Sequence, residues 1–182
     1  MLKNIQADLQ KFGRYVVQQS RSNLTKQKRN VSKNLYNSLK YDLESKNDDF
    51  TLSFIMDEYG TFLDKGVKGT KSNYVENAKS PYSYRNKKPP MQPLADWAKK
   101  RNIRLRQYKM VDGKRVSTGK FAKGNYRTIG FILQKSIFEK GIKASMFFTK
   151  PFEVAFERYK ENINKTFIED IIDLIKTKEW EK

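Results

Sequence analysis

The sequence predicts a single α+β domain over residues 1–182, with a small antiparallel sheet packed by N-terminal helices and a long C-terminal helix. Three observations predict it. Apolar residues recur every three or four positions near both ends of the chain, as in amphipathic helices. One segment between them alternates apolar and polar residues like a half-buried strand. The charge is concentrated in the middle third, which predicts a long basic loop or hairpin insert.

The N-terminal region is predicted to be helical. Apolar residues recur there at spacings of three or four: Leu2, Ile5, Leu9, Phe12 and Val16, then Val31, Leu35, Leu39 and Leu43. Either one helix of about 45 residues or two shorter helices would fit this spacing. Capping residues between Ser20 and Thr25 favour two helices with a break there.

A strand and a short helix are predicted next. Residues 50–56 alternate apolar and polar side chains and form the clearest strand signal in the chain. Tyr59, Phe62 and Leu63, at i, i+3 and i+4, form the apolar face of a helical turn that we expect to pack in the core. Gly66 suits the C-terminal end of that turn.

Residues 67–126 form the predicted insert. Its first part, residues 67–90, has no periodicity and is predicted to be a long loop. Its second part begins with a short helix around Trp97. Asp112-Gly113 then lies between two basic segments, which predicts a β-hairpin that projects into solvent or onto a partner.

The last third of the chain returns to a helical pattern. Apolar residues over 129–137 predict a helix that ends at Gly141, and residues 142–148 predict a strand. Thr149 is a candidate cap for a final helix with Pro151 in its first turn. This helix would be about 40 Å long, and we expect part of its apolar stripe to face another subunit.

The positive charge of the chain is confined to its middle. The sequence has 38 Lys and Arg, 20 Asp and Glu, and a formal charge of +18. Residues 65–127 hold 18 basic and 3 acidic side chains, so this segment alone carries +15. The two flanking segments are therefore charge-balanced.

Composition excludes several function classes. The chain contains no His and no Cys, which excludes disulfides, thiol nucleophiles, Ser-His-Asp triads and the usual zinc sites. Apolar runs of about five residues are too short for a membrane span of about 20 residues. The N-terminus lacks a signal-peptide pattern, so we expect a soluble protein made inside the cell.

Three short motifs, in order along the chain, resemble the tailed-bacteriophage tail-completion proteins, also called head-to-tail joining or neck proteins. The first motif is carried by Ser32, Leu35 and Ser38, the second by Tyr59, Phe62, Leu63, Asp64 and Gly66, and the third by Phe148 and Pro151. Pro89-Pro90 and Trp97 resemble a segment of the longer members. Lys33 stands where the family usually has Gly, which predicts that the chain stays helical at this position.

The resemblance implies a structural protein and no enzymatic activity. Members of this family form a homo-oligomeric ring at the neck, between the head connector and the tail, and double-stranded DNA passes through its channel. The implied partners are copies of the same chain, the neighbouring head and tail proteins, and the DNA in transit. The implied location is the virion, after synthesis in the bacterial cytoplasm, with no cofactor, metal or membrane.

The alternative hypothesis is a basic nucleic-acid-binding module. Segment 67–126 interleaves Lys and Arg with aromatic residues, which is the composition of a phosphate-binding or base-stacking surface. The residues that would contact DNA or a partner are Lys87, Lys88, Lys99, Lys100, Arg101, Arg104, Arg106, Lys114 and Arg115. The same side chains would also suit a loop that is charged for docking on protein or for solubility.

An enzyme is the least favoured class. The carboxylates that could bind a metal ion are Asp57, Glu58 and Asp64, and Glu169, Asp170 and Asp173. Their spacing matches no nuclease signature, and the chain has no Gly-rich phosphate-binding loop. The sequence therefore predicts no catalytic site.

Overall fold

The computed structural model describes residues 2–46, 49–122 and 124–179. The predicted α+β class is confirmed, because the described residues form helices and three two-stranded antiparallel ladders. The elements in chain order are α1 (Lys3–Lys26), α2 (Asn34–Ser38), β1 (Lys40–Lys46), β2 (Asp49–Ile55), α3 (Tyr59–Lys65), β3 (Val67–Lys68), a 3₁₀ turn (Val75–Asn77), α4 (Met91–Lys100), β4 (Arg106–Val111), β5 (Lys114–Phe121), α5 (Tyr126–Lys140), β6 (Gly141–Ile142) and α6 (Thr149–Glu179).

The chain divides into two compact units. The first unit comprises Met1–Asp64 and Ser145–Lys182, and the second comprises Lys65–Ala144. The insert predicted at residues 67–126 lies inside the second unit, which also contains α5 and β6.

The first unit is built around α1, which packs along α6 and against the β1–β2 ladder. Lys40 pairs with Ile55 at one end of that ladder and Lys46 with Asp49 at the other. The ring of Phe12 makes edge-on contacts with those of Phe54, Phe152 and Tyr159, with centroids 5.7–6.2 Å apart. Aromatic pairs in this geometry add to the free energy gained by burying their area.

Two N-terminal helices form, but the predicted break between them is wrong. α1 continues through Ser20 and Thr25 to Lys26, and α2 begins only at Asn34. The helical prediction for Leu43 is also wrong, because Leu43 lies in β1. Pairing with β2 buries alternate residues of this segment, and this long-range contact overrides the four-residue spacing.

The prediction that the chain stays helical at Lys33 is wrong as well. Lys33 has φ +57° and ψ +2°, a left-handed conformation, immediately before α2. Its N–H donates to the Asn30 carbonyl at 3.1 Å, and its carbonyl accepts from the Asn37 N–H at 2.9 Å. Gly adopts this conformation without the Cβ clash, so the residue usual in the family suits the turn observed here.

The start of α6 is held by the side chain of Asp64, which is only 3% exposed. Its Oδ1 accepts from the N–H groups of Phe148 at 2.8 Å and Thr149 at 3.2 Å, and its Oδ2 accepts from the Thr149 hydroxyl. The first N–H groups of a helix lack intrahelical partners, and a negative charge there also interacts favourably with the helix dipole. Asp64 therefore serves as the cap that the sequence assigned to Thr149.

The strand predicted over residues 142–148 is wrong apart from its first residue. β6 ends at Ile142, which pairs with Val67 of β3. The next backbone donors bind elsewhere: the Ala144 N–H donates to the Asn77 side chain, and the Ser145 N–H donates to the Leu63 and Asp64 carbonyls. These bonds replace the ladder that a longer strand would need.

The second unit contains a fully buried amide, that of Asn77. Its Nδ2 donates to the carbonyls of Val67 at 3.0 Å and Ile142 at 2.8 Å, and its Oδ1 accepts from the Ala144 N–H at 2.8 Å. A Cβ on Gly66, which has φ +73°, would lie 2.2 Å from this Oδ1. The buried amide thus requires glycine at position 66.

We expect Asp64→Ala to lower the free energy of unfolding by about 2–3 kcal/mol, because it leaves buried N–H groups at the start of α6 without an acceptor. Urea denaturation would measure this change. Glu58→Ala, at an exposed position beside the same motif, is the matched control and should change stability by no more than about 0.5 kcal/mol. Equal effects of the two substitutions would contradict the capping role.

Lys33→Gly should raise the free energy of unfolding by about 0.5–1 kcal/mol, since relief of the left-handed strain outweighs the added chain entropy. The control is Lys11→Gly in the middle of α1, which should lower it by about 1 kcal/mol. Both changes can be measured by urea denaturation. A loss of stability on Lys33→Gly would show that this turn carries no strain.

Candidate interaction surfaces

The three motifs that carry the family resemblance meet in the first unit. The Tyr59 hydroxyl interacts with the Leu35 backbone and the Ser32 side chain, and burial of the ring raises the pKa of Tyr59. Leu63 and Phe148 pack against the apolar cluster that contains Leu35. These motif residues are therefore structural neighbours.

The remaining motif residues have structural contacts of their own. The Ser38 hydroxyl accepts from the Asp57 N–H at 3.0 Å, and Pro151 is buried in the first turn of α6. Phe62 is half-buried, as is Leu63, whereas Tyr59 is 45% exposed. Tyr59, which the sequence predicted to pack in the core with Phe62 and Leu63, is therefore the most exposed of the three.

The acidic residues considered as metal ligands are distributed between two helix starts and the surface. Asp64 caps α6, and Asp170 accepts from the N–H groups of Asn4 and Ile5 at the start of α1. Asp170 is 6% exposed. Among the described residues, no group of three or more acidic side chains is placed to hold a metal ion.

The second unit carries almost all of the net charge. Lys65–Ala144 contains 21 Lys and Arg against 4 Asp and Glu, so it accounts for +17 of the +18 and leaves +1 for the first unit. Two of the four acids form ion pairs, Glu76 with Lys143 at 2.6 Å and Glu139 with Lys71 at 2.9 Å. Four carboxylates cannot neutralise 21 cations, so this unit presents a strongly positive surface.

The predicted hairpin is confirmed as the β4–β5 ladder. Asp112 and Gly113 both have positive φ, as this type of turn requires. Lys114 and Arg115 follow the turn, and Arg106 begins β4; all three side chains are exposed. The hairpin therefore displays cations along its length.

Arginines cover the hairpin aromatics. The Arg115 guanidinium lies 4.5 Å from the centroid of the Tyr108 ring, and that of Arg104 lies 5.8 Å from the centroid of Phe121. Cation–π contacts of this kind hold the guanidinium and occupy one face of the ring. The hairpin is thus better suited to phosphate contact than to stacking of bases on both ring faces.

The other predicted contact residues lie at the end of α4 and in the preceding loop. Lys99 and Lys100 are exposed in the last turn of α4, where positive charge interacts favourably with the helix dipole. The Arg101 guanidinium lies 5.7 Å from the Trp97 ring, which is 40% exposed. Lys87 and Lys88 are exposed on the loop before α4.

The outward face of α6 is apolar in its second half. Ile168, Ile171, Ile172 and Ile175 are 38–58% exposed. The opposite side of the helix faces α1, where the Thr166 hydroxyl donates to the Asp8 carboxylate at 2.9 Å. We name these four isoleucines the isoleucine face; the sequence predicted that part of an apolar stripe on this helix faces another subunit, but it did not identify which residues the monomer leaves uncovered.

The first unit also contains a cationic groove that no pattern in the sequence predicted. It lies between α1 and the α2–β1 segment and encloses about 960 Å³. Six of its lining residues are basic or aromatic: Arg14, Arg21, Lys26, Tyr36, Lys40 and Tyr41. None of the described residues that line it is acidic. Its basic residues come from two separate stretches of the sequence, α1 and the start of β1, so no local pattern signals the groove.

Arg21 is held in place within this cationic groove. Its Nη2 donates to the Leu39 carbonyl at 2.8 Å, and its guanidinium lies 5.1 Å from the centroid of the Tyr36 ring. Its Nε is buried and has no hydrogen-bond partner among the described residues. The guanidinium charge therefore has polar and aromatic neighbours but no counter-ion in the part of the chain that the structure describes.

No helix among the described residues is both long and apolar enough to cross a membrane. Comparison of the chain with protein-family models, curated proteins and solved structures found no match.

Proposed function

We propose that this chain is a structural subunit of the neck of a tailed bacteriophage. In this proposal it forms a homo-oligomeric ring that joins the head connector to the tail, and DNA passes through the ring. The protein is made in the bacterial cytoplasm, becomes part of the virion and has no catalytic role. Its partners are other copies of the chain and the head and tail proteins on either side.

The isoleucine face of α6 is the observation that carries this proposal. Exposed apolar patches of this kind mark interaction sites on soluble proteins. Burying the exposed half of each isoleucine would contribute about 1 kcal/mol per side chain. α6 has 31 residues and is about 46 Å long, enough to pack on a neighbouring subunit while its inner face packs on α1.

The contacts among the motif residues also support the proposal. Ser32, Leu35, Tyr59, Leu63 and Phe148 contribute to one packed region, and Asp64 ties the second motif to the third. If the motif residues form the structural core of the subunit, their roles in packing explain why three motifs so far apart in the sequence lie next to one another in the fold. Asp64 and Asp170, the buried acids, are both engaged at helix starts, which favours a structural role over catalysis.

The positive charge of the second unit supports a contact with DNA in transit. The same charge supports the alternative hypothesis of a nucleic-acid-binding module. A net charge of +17 on residues 65–144 would attract phosphates over several ångströms at physiological ionic strength. In a ring, this charge would interact with the DNA in its channel. In a module, it would be the binding surface itself.

The assembly test is the mass of the purified protein, alone and with its head connector, by mass photometry and negative-stain microscopy. We expect rings of several copies. The double substitution Ile168→Ser and Ile172→Ser should prevent assembly while preserving the folded subunit, because both side chains are already exposed. Val75→Ser with Met110→Ser, at 88% and 68% exposed positions, is the control.

A protein that stays a 21.5 kDa monomer under all these conditions would contradict the ring. If that monomer also bound DNA at low salt, the nucleic-acid-binding module would be the better description. Rings that survive the isoleucine substitutions would show that the isoleucine face is not the subunit interface.

The DNA contact can be measured through its salt dependence. We expect replacement of Lys99, Lys100, Lys114 and Arg115 by Gln to weaken DNA binding and to reduce the slope of log K against log salt by about 0.9 for each lost phosphate contact. Lys11→Gln with Lys165→Gln, in the first unit, is the control and should change the slope little. An unchanged slope in the fourfold variant would place the DNA contact elsewhere.

A further inference from the structure

We infer that the cationic groove of one subunit binds an acidic stripe on α6 of the next copy of the chain. The acidic stripe consists of Glu153, Glu157 and Glu161. This inference rests on the proposed ring and names the contact that would build it. The contact is heterologous, since two different surfaces of the same subunit meet, and repeated contacts of this kind close into a ring.

The acidic stripe is regular and exposed. Its three glutamates follow one another at intervals of four residues, which aligns them along one side of the helix. Glu157 pairs with Lys160 of the same helix, and this contact and the nearby Glu161 raise the pKa of Lys160. Glu153 and Glu161 form no ion pair with any described residue.

The stripe lies on the side of α6 that faces away from α1. Ala155 is fully buried in the cluster shared with α1, and the Tyr159 ring contacts Phe12 of α1. Glu157 is two residues from each, which is about 200° around the helix. Further along α6, the same side continues into the isoleucine face.

The cationic groove lies on the side of α1 that faces away from α6. Phe12 and Val16 of α1 pack in the same cluster as Ala155. Arg14 is two residues from both and therefore lies about 200° around α1 from the side that contacts α6. Groove and stripe are thus on opposite sides of the α1–α6 pair, as a front-to-back contact between successive subunits requires.

The two charged surfaces have similar lengths. Glu153 and Glu161 are separated by eight residues of helix, about 12 Å. Arg14 and Arg21 lie on the same side of α1 about 10 Å apart, and Lys26 and Lys40 add further cations to the groove. The three carboxylates can therefore lie along the row of cations, with apolar parts of α6 against Tyr36 and Tyr41.

Charge favours a second copy of the chain over nucleic acid as the occupant of the groove. The second unit, with a net charge of +17, attracts nucleic acid far more strongly than the unit that contains the groove, whose net charge is +1. A carboxylate from α6 supplies the counter-ion that the guanidinium of Arg21 lacks among the described residues of its own chain.

The experiment reverses the charges of each surface in the full-length protein. One variant carries Glu153→Lys, Glu157→Lys and Glu161→Lys; the other carries Arg14→Glu, Lys26→Glu and Lys40→Glu, and Arg21 is left intact because it binds Leu39. We expect each variant alone to need about tenfold or more protein for half-assembly in mass photometry. An equal mixture of the two, and a single chain carrying all six substitutions, should assemble again.

The control carries Asp42→Lys, Glu44→Lys and Asp49→Lys on the exposed side of the β1–β2 ladder, with the same change in net charge as the glutamate variant. It should assemble like the unmodified chain, and circular dichroism should show that every variant is folded. Normal rings from the glutamate variant would overturn this contact but leave the neck proposal intact. Loss of assembly without rescue in the chain that carries all six substitutions would also overturn it, whereas an unmodified protein that never assembles would contradict both.

Discussion

The first unit depends on one buried carboxylate. Asp64 ends the segment that leaves this unit, and its oxygens hold the residues with which the chain returns, Phe148 and Thr149. A buried carboxylate is costly unless hydrogen bonds satisfy it, and the free N–H groups at the start of a helix provide such bonds. Asp64 thereby fixes where α6 begins, and α6 in turn covers the aromatic side of α1.

The net charge is distributed very unevenly between the two units. The first unit, with its aromatic clusters and long helices, is almost neutral, while the second unit has a net charge of +17. Within the second unit, the side-chain amide of Asn77 forms hydrogen bonds with three backbone groups. A longer β-ladder would otherwise have to provide these hydrogen bonds.

Local signals in the sequence predicted a good part of the fold. Asp112-Gly113 predicted the hairpin because its turn needs positive φ, and Gly141 predicted the end of α5 for the same reason. The predicted contact residues lie in exposed positions because Lys and Arg are rarely buried. The cationic groove was missed because its walls come from α1 and from the α2–β1 segment, which no local pattern connects.

The sequence by itself determined the fold class, the strand at residues 50–55, the turns at glycines and the place of the charge, because these depend on periodicity and on properties of single residues. Only the tertiary structure decided that Leu43 lies in a strand, that residues 143–148 form none, and that Asp64 rather than Thr149 caps α6. In each case the deciding partner lies elsewhere in the chain. Hydrogen bonds and packing between residues far apart in the sequence override the secondary-structure preference of a short segment. A periodic pattern within that segment cannot predict such long-range contacts.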